Sequence, residues 1–176
     1  KEIRKQTNRI IQNNYILFVD SLYPYGEATR GKITSQQINK AKRYYLKCID
    51  FFNFLEDKYK MPVVIAAHPS STYNNSEFGD RTIIINKTAQ LIKDADIVLL
   101  HESTSHIFAI LFDKPITFFK TNGMSFHIGV LAGFFRKPVY NIDKVQYGKI
   151  EFSKVDKGVR ENYIYTQLTS KKTENM

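Results

Sequence analysis

A single cysteine, Cys48, occurs among the 176 residues. One thiol cannot close a disulfide within the chain, so a disulfide-stapled extracellular scaffold is excluded and a reducing compartment, the cytoplasm, is expected. No apolar run reaches the length of a membrane-spanning helix, and no signal-peptide pattern is visible. The chain also lacks Gly-x-Gly-x-x-Gly and Gly-Lys-Ser/Thr. That argues against a dinucleotide enzyme or a P-loop NTPase. No set of His, Cys, Asp and Glu stands at metal-ligand spacing, so neither a metal nor another cofactor is expected. Internal repeats and low-complexity tracts are absent too.

Acidic residues are in deficit, 17 against 26 Lys and Arg, which leaves a net charge of +9. A positive surface suits nucleotide donors, anionic acceptors or anionic lipid head groups, and a solvated basic face with no role is the plainer reading of scattered charges. The hydrophobic content of 43% is that of a globular chain, and 176 residues suit one domain with a real core. The first residue is Lys1 rather than Met, which fits a piece of a longer parent.

Apolar runs alternate with helical patterns. Strands are predicted over residues 14–20, 63–67, 82–86, 96–100, 115–119 and 138–142, as short β-branched runs of the kind buried on both faces of a parallel sheet. A long helix begins at Thr34 or Ser35, carries Ile38, Ala41, Tyr45, Cys48, Ile49, Phe52 and Leu55 at helical spacing, and ends before Pro62. Shorter helices are predicted over 87–94, 103–112 and 125–135. This alternation implies an α/β fold: a Rossmann-like doubly wound parallel sheet of about six strands. Residues 15–142 form that domain, residues 1–14 a linker or lead-in helix, and residues 143–176 a basic C-terminal extension.

Right-handed crossovers bring every strand's carboxyl end to one edge of the sheet. The loops after Asp20, His68, Asn86, His101 and Phe119 then share a rim, where open α/β sheets bind ligands. Two polar words meet there: Ala67-His68-Pro69-Ser70, and Glu102-Ser103-Thr104-Ser105. Three hydroxyl residues opening a helix after a buried strand make a phosphate-binding turn, because the first helix amides lack internal partners. Ser103 and Thr104 can equally be plain helix caps. His68 can donate to a phosphate oxygen, Pro69 sets the chain direction, and Glu102 suits sugar hydroxyls. Asp20 can reach the rim or simply form a turn. His101 reads as structural, His106 as facing the pocket or solvent, and His127 as partly buried. Tyr23 and Tyr25 are the tyrosines placed to line a cleft.

His68-Pro69, then Ser103-Thr104-Ser105, then Asp113-Lys114-Pro115-Ile116-Thr117-Phe118-Phe119 resemble the histidine-proline and serine/threonine motif pair of bacterial GT-B glycosyltransferases. These comprise the bacterial sialyltransferases and polysialyltransferases, the capsule Kdo transferases and the CDP-glycerol glycerophosphotransferases. The resemblance covers roughly residues 63–119 and matches the donor-binding, C-terminal half. It implies one half of a GT-B fold that binds a nucleotide-activated sugar, CMP-linked, for bacterial surface polysaccharide or lipopolysaccharide synthesis. It implies donor-nucleotide contacts from His68, Pro69, Ser103 and Thr104, with Ser105 a further candidate; the reading of the residues themselves adds Glu102 to the donor contacts, and His68 and Asp20 are the candidate catalytic residues. An N-terminal GT-B half would supply the acceptor site for an anionic glycan or lipid-linked acceptor, with peripheral association at the inner face of an anionic membrane.

Two alternatives use the same rim. One is a sugar-nucleotide enzyme of the UDP-GlcNAc 2-epimerase type, the other a non-catalytic nucleotide- or nucleic-acid-binding module. Nucleic-acid binding needs basic residues clustered with exposed aromatics. Tyr44-Tyr45 beside Lys42-Arg43 comes nearest, and it reads better as a helix stripe with its flank.

Overall fold

The computed structural model describes residues 9–24, 34–73 and 76–168. Six strands form one parallel sheet: β1 (Ile16–Val19), β2 (Val63–Ala67), β3 (Ile83–Ile85), β4 (Ile97–Leu100), β5 (Ile116–Lys120) and β6 (Val139–Asn141). Their spatial order is β3-β2-β1-β4-β5-β6, the doubly wound Rossmann-like order. The helices are α1 (Ser35–Tyr59), α2 (Thr88–Asp94), α3 (His106–Leu111), α4 (His127–Phe134) and α5 (Lys157–Tyr163).

The central strand shows why the runs are continuously apolar. Ile16 and Phe18 of β1 point to α1, while Leu17 and Val19 point to the face that α2, α3, α4 and α5 cover. Both sides of the pleat are therefore buried. On the α1 side Phe18 is the hub of an aromatic cluster, with Phe52, Phe78, His101 and Phe119 at ring separations of 5.2–5.7 Å.

Helix α1 starts where its capping box predicts. The Thr34 hydroxyl accepts from the Gln37 amide, and the Gln37 side chain accepts from the Thr34 amide. It stops at Lys60, which adopts a left-handed conformation and donates its amide to Glu56. The buried stripe is wider than the predicted one: Tyr44 and Phe51 belong to it, and Ile38 at its start is exposed. One helix covers most of this face of the sheet, so it buries more than a narrow seam.

The β2–β3 connection has no helix among its described residues. Right-handed crossover places it on the α1 face, and Phe78 is buried there. Arg81 pins it, donating to both carboxylate oxygens of Glu56 (3.0 and 2.6 Å), to Asn53 and to the Phe78 carbonyl.

At the amino end, residues 9–14 are not helical, and the Arg9 guanidinium donates to the Asp94 carbonyl at 2.7 Å. Residues 1–8 of the predicted lead-in lie outside the described residues. At the other end, residues 142–168 pack into both cores. Ile142 and Ile150 join the α1 side, Val155 and Tyr163 the opposite side, and Ser153 bridges Ile116.

Candidate functional site

β1 and β4 are neighbours, yet the chain leaves them toward opposite faces of the sheet. Loops that diverge in this way leave a crevice at the strands' carboxyl ends. A cavity of about 420 Å³ lies there. Asp20 and Ser21 line it from β1, His68 and Pro69 from β2, Thr88 from the start of α2, and Glu102, Ser103, Thr104 and Ser105 from β4. The two polar words, far apart in sequence, thus face one space.

Asp20 builds this edge from below. Its carboxylate is 3% exposed and accepts from the Leu22 amide (3.0 Å), the His68 amide (3.1 Å) and the Tyr73 hydroxyl (2.7 Å). It therefore ties the loops after β1 and β2 together. Burial raises its pKa, against the pull of these hydrogen bonds. Both oxygens are engaged, which suits a positioning residue better than a base that must reach an acceptor hydroxyl.

The Ser70 amide donates to His68 Nδ1 at 3.1 Å. A nitrogen that accepts carries no proton in the neutral ring, so the proton sits on Nε2. His68 is half-buried on the cavity wall and offers Nε2–H as a donor.

Residues 103–105 form a tight turn rather than the first turn of the predicted helix, which begins at His106. The Ser103 hydroxyl accepts from the Ser105 amide (3.2 Å), and this local bond competes with regular helix. Successive amides of His106, Ile107 and Phe108 bond three residues back, to Ser103, Thr104 and Ser105. The amides of Ser103 and Thr104 precede that series and take no part in it.

The remaining histidines sort by contact. His101 is fully buried; its Nδ1–H donates to the Phe119 carbonyl (2.6 Å), so Nε2 accepts from the Tyr44 hydroxyl (2.9 Å). Burial pushes its pKa down to about 4. It is structural, as the sequence indicates. His106 is half-buried, outside the cavity lining, with both ring nitrogens engaged. Its Nδ1–H donates to the Ser103 carbonyl (2.7 Å), and its Nε2 accepts from Tyr163 (3.1 Å) on α5. Burial lowers its pKa. His127 is exposed rather than partly buried, its ring 4.3 Å from that of Phe126.

A second cavity of about 210 Å³ adjoins the first and shares Ser21 and Glu102 with it. Its other walls are Tyr23, Pro24, Lys40 and the loop Gly123-Met124-Ser125. The Lys40 ammonium lies 5.0 Å from the Tyr23 ring centroid. Gly123 has φ +83°, and a Cβ there would come within 3.4 Å of Lys40 Nζ, so glycine makes room for the ammonium. Tyr25, the other predicted cleft tyrosine, lies outside the described residues.

Sequence reasoning missed Thr88, Lys40 and the Gly123 loop. Thr88 was findable, because it follows β3 as Ser103 follows β4. Lys40 was not, because it reads as one more cation beside a helix stripe. The Asp-x-Asp pair Asp94-Ala95-Asp96 also escaped notice. It precedes β4, at the amino edge away from the cavity, where Asp96 accepts the Tyr15 amide at 3.1 Å. Among the described residues no cluster of three or more His, Cys, Asp and Glu is arranged to hold a metal ion. No described helix is long and apolar enough to cross a membrane.

No protein-family model matches this chain, and no curated protein matches it.

Proposed function

We propose that this chain binds the phosphate of a nucleotide-activated sugar at the carboxyl edge of its sheet, as the donor-binding half of a GT-B glycosyltransferase. The observation that carries the reading is that His68-Pro69 and Ser103-Thr104-Ser105 line one cavity across the point where the strand order reverses.

Among the described residues, the walls of the first cavity carry no Lys or Arg. A phosphate there is held by neutral donors: His68 Nε2–H, the hydroxyls of residues 103–105 and Thr88, and the free amides of the turn. Glu102 stands between the two cavities and accepts from ribose or sugar hydroxyls. The second cavity takes the rest of the donor against Tyr23 and Lys40. In the transfer, the acceptor oxygen bonds to the sugar carbon as the bond from that carbon to the phosphate oxygen breaks. The acceptor proton passes to a base on the partner half. The donors around His68 and Ser103 stabilise the charge that gathers on the departing phosphate. Asp20 holds His68 in place and is not that base. The CMP-linked sugar, the acidic or lipid-linked acceptor and a role in bacterial surface glycan synthesis extend the same reading.

Thermal-shift titration with CMP, CDP, UDP and their sugar conjugates tests it. A cytidine-selective rise in melting temperature supports the transferase. A uridine-selective rise points instead to a sugar-nucleotide enzyme of the epimerase type. No shift with any nucleotide removes the proposal.

A further inference from the structure

Two carboxylates, Asp20 and Glu102, line the larger cavity, and no Lys or Arg among the described residues lines it with them. They differ in their access to water. Glu102 is exposed, so solvent and salt screen it. Asp20 is 3% exposed, and its charge lacks that screening. A phosphate in this cavity therefore meets a buried like charge. Where two like charges share a dry site, the favoured state is the one in which either takes up a proton.

The groups that face Asp20 decide where that proton goes. From α1 come Tyr44 and Cys48, which burial keeps protonated and uncharged. From the loop after β2 come His68 and Tyr73, and the Tyr45 ring lies 6.3 Å beyond that of Tyr73. Among the described residues none of these groups carries a fixed positive charge. His68 is ill placed for a second proton, because its Nδ1 already accepts from the Ser70 amide. Asp20 is better placed. Its Oδ1 accepts from the Leu22 amide, and its Oδ2 from the His68 amide and the Tyr73 hydroxyl. A backbone N–H can only donate, whereas a hydroxyl donates or accepts. Of the three partners, Tyr73 alone can reverse its bond. Its oxygen, 2.7 Å away, then accepts from a protonated Oδ2 while its own O–H turns toward Tyr45. Both amides keep their bonds, so the loops after β1 and β2 stay tied. Burial raises the Asp20 pKa, which eases the same step.

We infer that phosphate enters this cavity together with a proton from solvent, which bonds to Asp20 Oδ2, and that Tyr73 is the positioning residue that holds this carboxyl in both its charged and its neutral form. The inference rests on the phosphate reading of the cavity and adds the charge state in which the site receives its ligand. The complex holds a proton that the empty site lacks, so affinity rises as pH falls.

Calorimetric titration of the full chain with CMP between about pH 7.5 and pH 5 tests it. Over that range wild-type affinity is expected to rise about tenfold more than that of Asp20→Asn, which has no carboxylate to protonate and reports the titration of CMP and His68 alone. Tyr73→Phe keeps its ring against Tyr45 and Phe78 and loses only the hydroxyl. The bond it removes is stronger to the charged carboxylate than to the neutral one. Its affinity should therefore begin to rise at higher pH than in wild type, a shift that a packing role alone does not produce. Parallel profiles for wild type and Asp20→Asn would overturn the inference and leave the phosphate site standing. So would a Tyr73→Phe profile that coincides with wild type. If wild type bound no CMP at any pH, the phosphate reading itself would fall and the inference with it.

Discussion

His101 stays neutral in the fold because its two ring nitrogens already have fixed jobs, one donating to Phe119 and one accepting from Tyr44. Its folded pKa is about 4, against an ordinary 6.5. Between those values the unfolded chain binds a proton that the folded chain refuses, so stability falls as pH drops from about 6.5 to 4, by roughly 3 kcal/mol in all. Asp20, whose pKa is raised, titrates with the opposite sign, so the comparison must be made between proteins. Urea denaturation across this range should show a slope in wild type that His101→Gln flattens. Asp20 is tested differently. Asn in its place keeps one acceptor oxygen for three donors, so Asp20→Asn should lose about 1–3 kcal/mol of stability and weaken nucleotide binding as well. If calorimetry showed wild-type stability and wild-type CMP affinity, the tie between the two loops would have no energetic weight.

Among the elements, the connection between β2 and β3 depends most on a few side chains. Helix packing does not hold it; Phe78 and the Arg81–Glu56 pair do. Arg81 is buried and Glu56 partly so, and removing one partner strands the other charge. Arg81→Ala should therefore cost about 3 kcal/mol or more by chemical denaturation, whereas breaking the solvent-exposed pair Lys60–Asp57 should leave the midpoint nearly unmoved. These contacts also mark how far the sequence could be read. The strands were legible because a strand buried on both faces is apolar at every position, and Val63–Ala67 shows its bounds outright. The stop of α1 was legible from Pro62. Arg81 was not, since a cation in a polar loop gives no sign of four acceptors waiting around it. The partner of His106 was not legible for a related reason. The residue that covers it, Tyr163, comes from a basic, mixed segment whose packing has no period to follow.

At the scale of the whole molecule, function follows from winding. The chain passes to one face after β1 and to the other after β4, and the gap between them collects residues from three strand ends and a helix start. Strand alternation made the shared rim foreseeable. The second cavity was not, because it needs α1 and the loop after β5 to approach one another, and no local pattern encodes that distance. Lys40→Met should weaken a sugar-nucleotide conjugate more than the bare nucleotide, read as two dissociation constants by calorimetry. Equal weakening would place the ammonium on the nucleotide instead.

The most direct measurement is a double-mutant cycle with CMP, titrating wild type, His68→Ala, Ser103→Ala and the pair by calorimetry. Each single change should weaken binding by about 1–3 kcal/mol, and the pair by less than the sum, because both groups hold one phosphate. Strictly additive losses, or affinities that neither substitution moves, would contradict a common anion between the histidine and the serine turn.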